Sequence, residues 1–268
     1  MGFEYLTNVP LAQARKEYLE RLVSGGFGSK TETIPVFESC GRVTAKAVYA
    51  HICAPHYAAS AMDGVAVSAK ETFGATETTP VTLKPDQFLV LDTGDPIPED
   101  KDAVIMVEDI VKNGDGSITI HAAAAPWQHI RQIGEDICAG EMILPSHMTV
   151  SPAAIGAMIA GGVLEIEVIR KPVVGIIPTG DEIIPPCTDP KPGDILEFNG
   201  SIFSAMVRSW GAEAVVYPIV PDKFDQIKEM VAKAADECDM VILNAGSSAG
   251  REDFSARVIR ELGEVLYH

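Results

Sequence analysis

Apolar and polar positions change their period three times along this chain. Over residues 8–23, "NVPLAQARKEYLERLV", Leu11, Ala14, Tyr18, Leu19 and Leu22 recur at helical spacing. Asn8 stands in a capping position and Pro10 in the first turn, so the segment predicts a helix. From about residue 47 the apolar runs shorten to "PVTLKP", "QFLVLDTG", "AVIMVEDIV" and "SITIH", separated by Pro, Gly and Asp. The Asn-Gly and Asp-Gly pairs of "VKNGDGSIT" predict a hairpin between two of them. Residues 47–137 therefore read as a β-rich domain. Helical spacing returns in "SPAAIGAMIAGGV", with Ala154, Met158 and Ile159 on its apolar face and Gly161-Gly162 as a stop. The β-rich domain then reads as an insertion into a helical linking domain made of residues 1–46 and 138–170.

Beyond Lys171-Pro172 the pattern alternates. Strand-like "VVGIIP", "AVVYPIV" and "MVILN" are followed in turn by helix-like "SIFSAMVRSWG", "DKFDQIKEMVAKAADE" and "DFSARVIREL". In the second helix Phe224, Ile227, Val231 and Ala234 recur on one face. The order β-α-β-α-β-α predicts a doubly wound parallel α/β domain over residues 171–268. The fold class is thus multidomain α/β.

Charge narrows the partners. With 21 Lys and Arg against 38 Asp and Glu among 268 residues, the chain carries a formal −17. Nucleic acid and anionic membrane surfaces repel such a protein. An anionic substrate would need a divalent cation or a local arginine cluster. The five cysteines, Cys40, Cys53, Cys138, Cys187 and Cys238, are odd in number and show no zinc-ligand spacing, so they read as reduced structural thiols. "MGFEYLTNVP" has no signal-peptide character, and Leu6 stands where a myristoylation site requires Ser or Thr. No apolar stretch is long enough to span a bilayer. A soluble cytoplasmic protein is the expectation.

Ligands of open α/β sheets bind outside the carboxyl ends of the strands. Three loops fall there: "TGDE", "VPDK" and "NAGSSAGRED". In the last, Gly246 and Gly250 let backbone N–H groups approach a ligand, Ser247 and Ser248 add hydroxyls, and Arg251 adds a fixed charge. Ahead of a helix this reads as an anion cradle, with a tight capped turn as the plainer alternative. Asp181 and Glu182 are two adjacent acids of the kind that seat Mg²⁺ together with substrate oxygens, or of which Asp181 caps a helix. "SAMDGVAV" and "IRQIGEDICAGE" place Asp63, and Arg131 with Glu135 and Asp136, among small residues. A turn and a surface ion pair are their plainer readings.

Five segments in order, from Ser60 to Phe254, resemble the molybdopterin molybdotransferase family, which includes the corresponding domain of gephyrin. They are "SAMDGVAV", "DTGDPIPEDKDAVIMVED", "IRQIGEDICAGE", "PTGDEIIPP" with "GDILEFNG", and "NAGSSAGREDF". The resemblance implies transfer of molybdate onto adenylylated molybdopterin with a divalent cation, Mg²⁺, and release of AMP. By position it puts the functional acids on Asp63, Asp136, Glu182 and Asp253, with Thr93 beside them. Substrate contacts fall on Gly246, Ser247, Ser248, Gly250, Arg251 and Arg131, and metal ligation on Asp181 and Glu182. It also implies a homodimer with the cleft between subunits. Val65 and Ala245 depart from the family pattern, and the family continues past "GEVLYH" through P-G-K-P and G-N-P segments and a further β-domain. The chain thus reads as a C-terminally truncated or shortened relative. Activity in isolation, use of tungstate, and a non-catalytic pterin-binding role stay open at this point.

Overall fold

The computed structural model describes residues 9–245 and 254–267. The chain divides into two compact units, residues 32–168, and residues 1–31 together with 169–268.

In residues 32–168 the short apolar runs form two three-stranded antiparallel sheets. One has Gly64–Val67 between Phe88–Leu91 and Ala103–Met106; the other has Ile118–Ile120 between Val81–Leu83 and Ile110–Lys112. Ile110–Lys112 and Ile118–Ile120 are the hairpin that "VKNGDGSIT" predicts. All four residues of the central strand Gly64–Val67 are buried, which explains why it lacks an alternating pattern. Val65, Val67, Leu83, Ile105, Ile118 and Ile120 form the core between the sheets. A second core gathers Val36, Val48, Val150, Met158, Ile166 and Val168. Into it packs the helix Pro152–Ala160, whose Ser151 hydroxyl accepts a hydrogen bond from Ala154 N at 3.2 Å. Met158 is fully buried there, whereas Ile159, expected on the same face, is 48% exposed. Position 159 lies one residue, about 100°, round the helix from the buried stripe.

The second unit carries a three-stranded parallel sheet in the order Glu213–Val216, Val173–Pro178, Met240–Asn244. The helices Asn199–Ser209 and Phe224–Glu237 pack against it, and Ser255–Leu262 packs on the second of these. Ile227 and Ala234 are buried and Phe224 and Val231 partly buried, as the helical spacing predicts. A pair of two-residue strands, Ile183–Ile184 and Ile195–Leu196, is additional to the sequence pattern. The helix Leu11–Ser24 forms where expected, but none of its residues is buried: Leu11 is 83% and Leu19 47% exposed.

Candidate functional site

The first group of predicted residues lies in residues 32–168. Gly64 pairs with Leu91 across the antiparallel sheet, so Asp63, one residue ahead, meets the chain just past the strand Phe88–Leu91. There its carboxylate accepts from both Thr93 N and Thr93 Oγ1, each at 2.7 Å. The hydroxyl bond and then the amide bond hold the Asp63 carboxyl below its ordinary range. Asp63 is therefore a positioned, exposed carboxylate. Gly64 has no substitute here: a Cβ would stand 2.0 Å from the Ile105 carbonyl oxygen.

The loop is tied down further by Ser60, whose buried hydroxyl donates to Met62 O at 2.6 Å. Ala59–Ser60 also pairs with Ile130–Arg131, setting Arg131 opposite Ala59. Arg131 then holds Asp136 through Nη2 at 2.7 Å and Glu135 through Nε at 3.5 Å. These carboxylates raise the Arg131 pKa above its ordinary value, with Asp136 the larger cause. Asp63, Thr93, Arg131 and Asp136 are thus carried on one hydrogen-bonded framework around Ala59–Ser60.

The second group lies at the carboxyl ends of the parallel strands. Thr179 is buried and donates from N (3.0 Å) and Oγ1 (3.2 Å) to Asn244 O, joining the ends of two strands. Gly180 follows at φ 143°, a value that favours glycine, and its missing Cβ leaves room for both carboxylate oxygens of Glu182. Asp181 Oδ1 accepts from Asp222 N at 3.2 Å, tying the "TGDE" loop to the "VPDK" loop. A cleft of about 570 Å³ opens here, lined by Asp181, Glu197, Tyr217 and the prolines Pro185, Pro218 and Pro221 among others. Glu197 has no part in the expected site. It lines this cleft while accepting from Gly200 N at 2.6 Å, at the start of the helix Asn199–Ser209. Its signal in the sequence is an acid three residues ahead of a glycine, a helix-entry pattern.

Gly246, Ser247, Ser248, Gly250, Arg251 and Asp253 lie outside the described residues. The strand that leads to them, Met240–Asn244, ends level with Pro178. Among the described residues no group of three or more His, Cys, Asp or Glu is arranged to hold a metal ion. Asp181 and Glu182 offer two exposed carboxylates, which fits an ion that takes most of its ligands from substrate and water. No helix among the described residues is long and apolar enough to cross a membrane.

Two family descriptions match the chain in tandem: "MoeA N-terminal region (domain I and II)" over residues 9–162 and "Probable molybdopterin binding domain" over residues 175–268. A molybdopterin molybdenumtransferase of Haemophilus influenzae is 30% identical over 269 residues, covering 96% of this chain and 66% of the relative. Molybdopterin molybdenumtransferase 2 of Mycobacterium tuberculosis is 34% identical over 234 residues, covering 81% and 58%. A crystal structure of the molybdopterin biosynthesis MoeA protein from Pyrococcus horikoshii superposes with a TM-score of 0.82 at 30% identity, covering 98% of this chain and 68% of that one. The chain spans about two thirds of the length of these relatives, or somewhat less.

Proposed function

This chain belongs to the MoeA family of molybdenum cofactor biosynthesis proteins, and we propose that it carries the reaction centre of a molybdopterin molybdenumtransferase. In this reading adenylylated molybdopterin and molybdate are the substrates; molybdenum passes to the dithiolene and AMP leaves. The observation that carries it is the tandem of two domain types, each presenting positioned acids. Asp63 and Asp136 are held by Thr93 and Arg131 in one unit, while Asp181 and Glu182 stand at strand ends in the other.

The chemistry fits a site without a protein nucleophile. The substrate brings the sulfur, so the chain's task is to position anions and hold protons and water in place. The loop at residues 246–253 would receive the phosphate on backbone N–H groups, with Arg251 as counter-charge. Asp181 and Glu182 would hold Mg²⁺, which when bound neutralises anionic substrate oxygens.

The working unit in this reading is a homodimer, and each working site draws on two copies of the chain. The apolar face of the helix Leu11–Ser24, uncovered in one chain, supports association. Mixing tests both proposals. Asp63→Asn and Glu182→Gln should each abolish molybdate insertion. Random subunit exchange makes half of the dimers mixed, each with one intact site, so about a quarter of the parent activity should return. Full activity in either single variant would overturn the assigned chemistry. No recovery after confirmed exchange would overturn the shared site.

A further inference from the structure

Cys53 and Cys138 are remote in sequence, and spacing along the chain singles out neither. The fold sets them side by side. Ala54 N donates to Ile137 O at 2.8 Å and Ile137 N to Ala54 O at 3.0 Å, an isolated antiparallel bridge with both hydrogen bonds made. In such a pairing the residue before Ala54 faces the residue after Ile137. Cys53 and Cys138 therefore face each other beside the bridge, on the side where antiparallel side chains approach most closely.

The sulfur positions agree. A Cβ at Gly134 would stand 3.0 Å from Cys138 Sγ and 3.5 Å from Cys53 Sγ, so both thiols converge on one glycine. Gly134 has φ 74°, and the absent side chain leaves the space in which the sulfurs sit. Each thiol makes a single weak hydrogen bond, Cys138 Sγ donating to Gly134 O and Cys53 Sγ accepting from Ala139 N, both at 3.4 Å. Cys138 is exposed and Cys53 half-buried. Two thiols fall short of a closed zinc site, and no third ligand joins them among the described residues. What two facing, accessible thiols do is exchange with disulfides.

We propose that Cys53 and Cys138 are a reversible dithiol–disulfide modification site, oxidised by a small-molecule disulfide of the glutathione type. The Cys138 thiolate attacks one sulfur of that disulfide; a mixed disulfide forms and one small thiol leaves. The Cys53 thiolate then attacks the Cys138 sulfur, the protein S–S bond forms, and the second small thiol leaves. Two protein thiols lose two electrons and two protons, and one small disulfide gains them as two thiols. The new bond staples the turn Gly134–Cys138 to the Cys53–Ala54 segment. That turn carries Asp136, the partner of Arg131. The proposal rests on thiol geometry and not on the transferase reading.

The test is to equilibrate the intact chain across graded ratios of reduced to oxidised glutathione, quench with iodoacetamide, and map thiols by mass spectrometry of an unreduced digest. Under reducing conditions all five cysteines should be alkylated. Under oxidising conditions, five less the pair, three, should remain alkylated, with one peptide cross-linking Cys53 to Cys138. Cys53→Ser and Cys138→Ser should each lose the cross-link and leave all four remaining cysteines alkylated at the ratio that cross-links the parent chain. Five alkylated cysteines at the most oxidising ratio would overturn the proposal, as would adducts on both cysteines without a cross-link, or a bond between another pair. Should a serine variant misfold, cross-link mapping of the parent chain decides alone.

Discussion

Asp239 precedes the strand Met240–Asn244, and its carboxylate fastens that strand to the centre of the parallel sheet. It accepts from Val173 N at 2.9 Å, from Lys30 Nζ at 3.0 Å and from Arg170 Nη2 at 2.7 Å. The side chain is 13% exposed. Burial alone would push its pKa up. The Val173 amide and the Lys30 and Arg170 cations outweigh that and hold it at about 2, against an ordinary 3.8. At about 1.36 kcal/mol per unit, the difference corresponds to roughly 2 kcal/mol of stability. The folded-state pKa is depressed, so this contribution is present above pH 3.8 and disappears as pH falls toward 2. Asp239→Asn keeps one acceptor but removes the charge, leaving Arg170 without its buried counter-ion. In urea titrations followed by circular dichroism, the variant should lose about 2 kcal/mol at pH 7 with an unchanged slope. The gap should narrow to about 1 kcal/mol at pH 3, because the unfolded parent chain takes up the proton there while the folded carboxylate is still mostly ionised. An unchanged midpoint at pH 7, or a gap independent of pH, would refute the reasoning.

Gly64→Ala drives a methyl group to 2.0 Å from the Ile105 carbonyl, between paired strands that cannot part cheaply. A loss of about 3 kcal/mol and a fall in Tm on the order of 10 °C should follow in calorimetry; a Tm within a degree of the parent would contradict it. Thr93→Val removes the hydroxyl bond to Asp63, so the Asp63 carboxyl should titrate closer to its ordinary range in ¹³C NMR. An unshifted titration would show that the hydroxyl does not tune it. Ser248→Asp or Gly250→Asp, in the loop expected to cradle an anion, should remove molybdopterin binding by calorimetry without changing circular dichroism. Unchanged affinity would return that loop to a mere turn.

Much of the fold is legible in the sequence because it is recorded locally. Phe224, Ile227, Val231 and Ala234 announce their helix through spacing, and the glycines of "VKNGDGSIT" announce a hairpin through the backbone conformations they permit. The same holds for the alternation of strands and helices after Lys171, since each element buries one face and so writes its own period into the chain. Pairing between distant segments leaves no such period. The two-residue pairs Ala59–Ser60 with Ile130–Arg131 and Ile183–Ile184 with Ile195–Leu196 are too short to show one. Asp63 and Asp136 could be marked as candidates from their motifs, but that Thr93 grips one and Arg131 the other depends on register across strands, which only the folded sheet decides. Cys53 and Cys138 illustrate the limit most plainly. As residues in a row they are two of five scattered thiols; the bridge between Ala54 and Ile137 makes them a pair, because long-range hydrogen bonding, not composition, sets which side chains face each other.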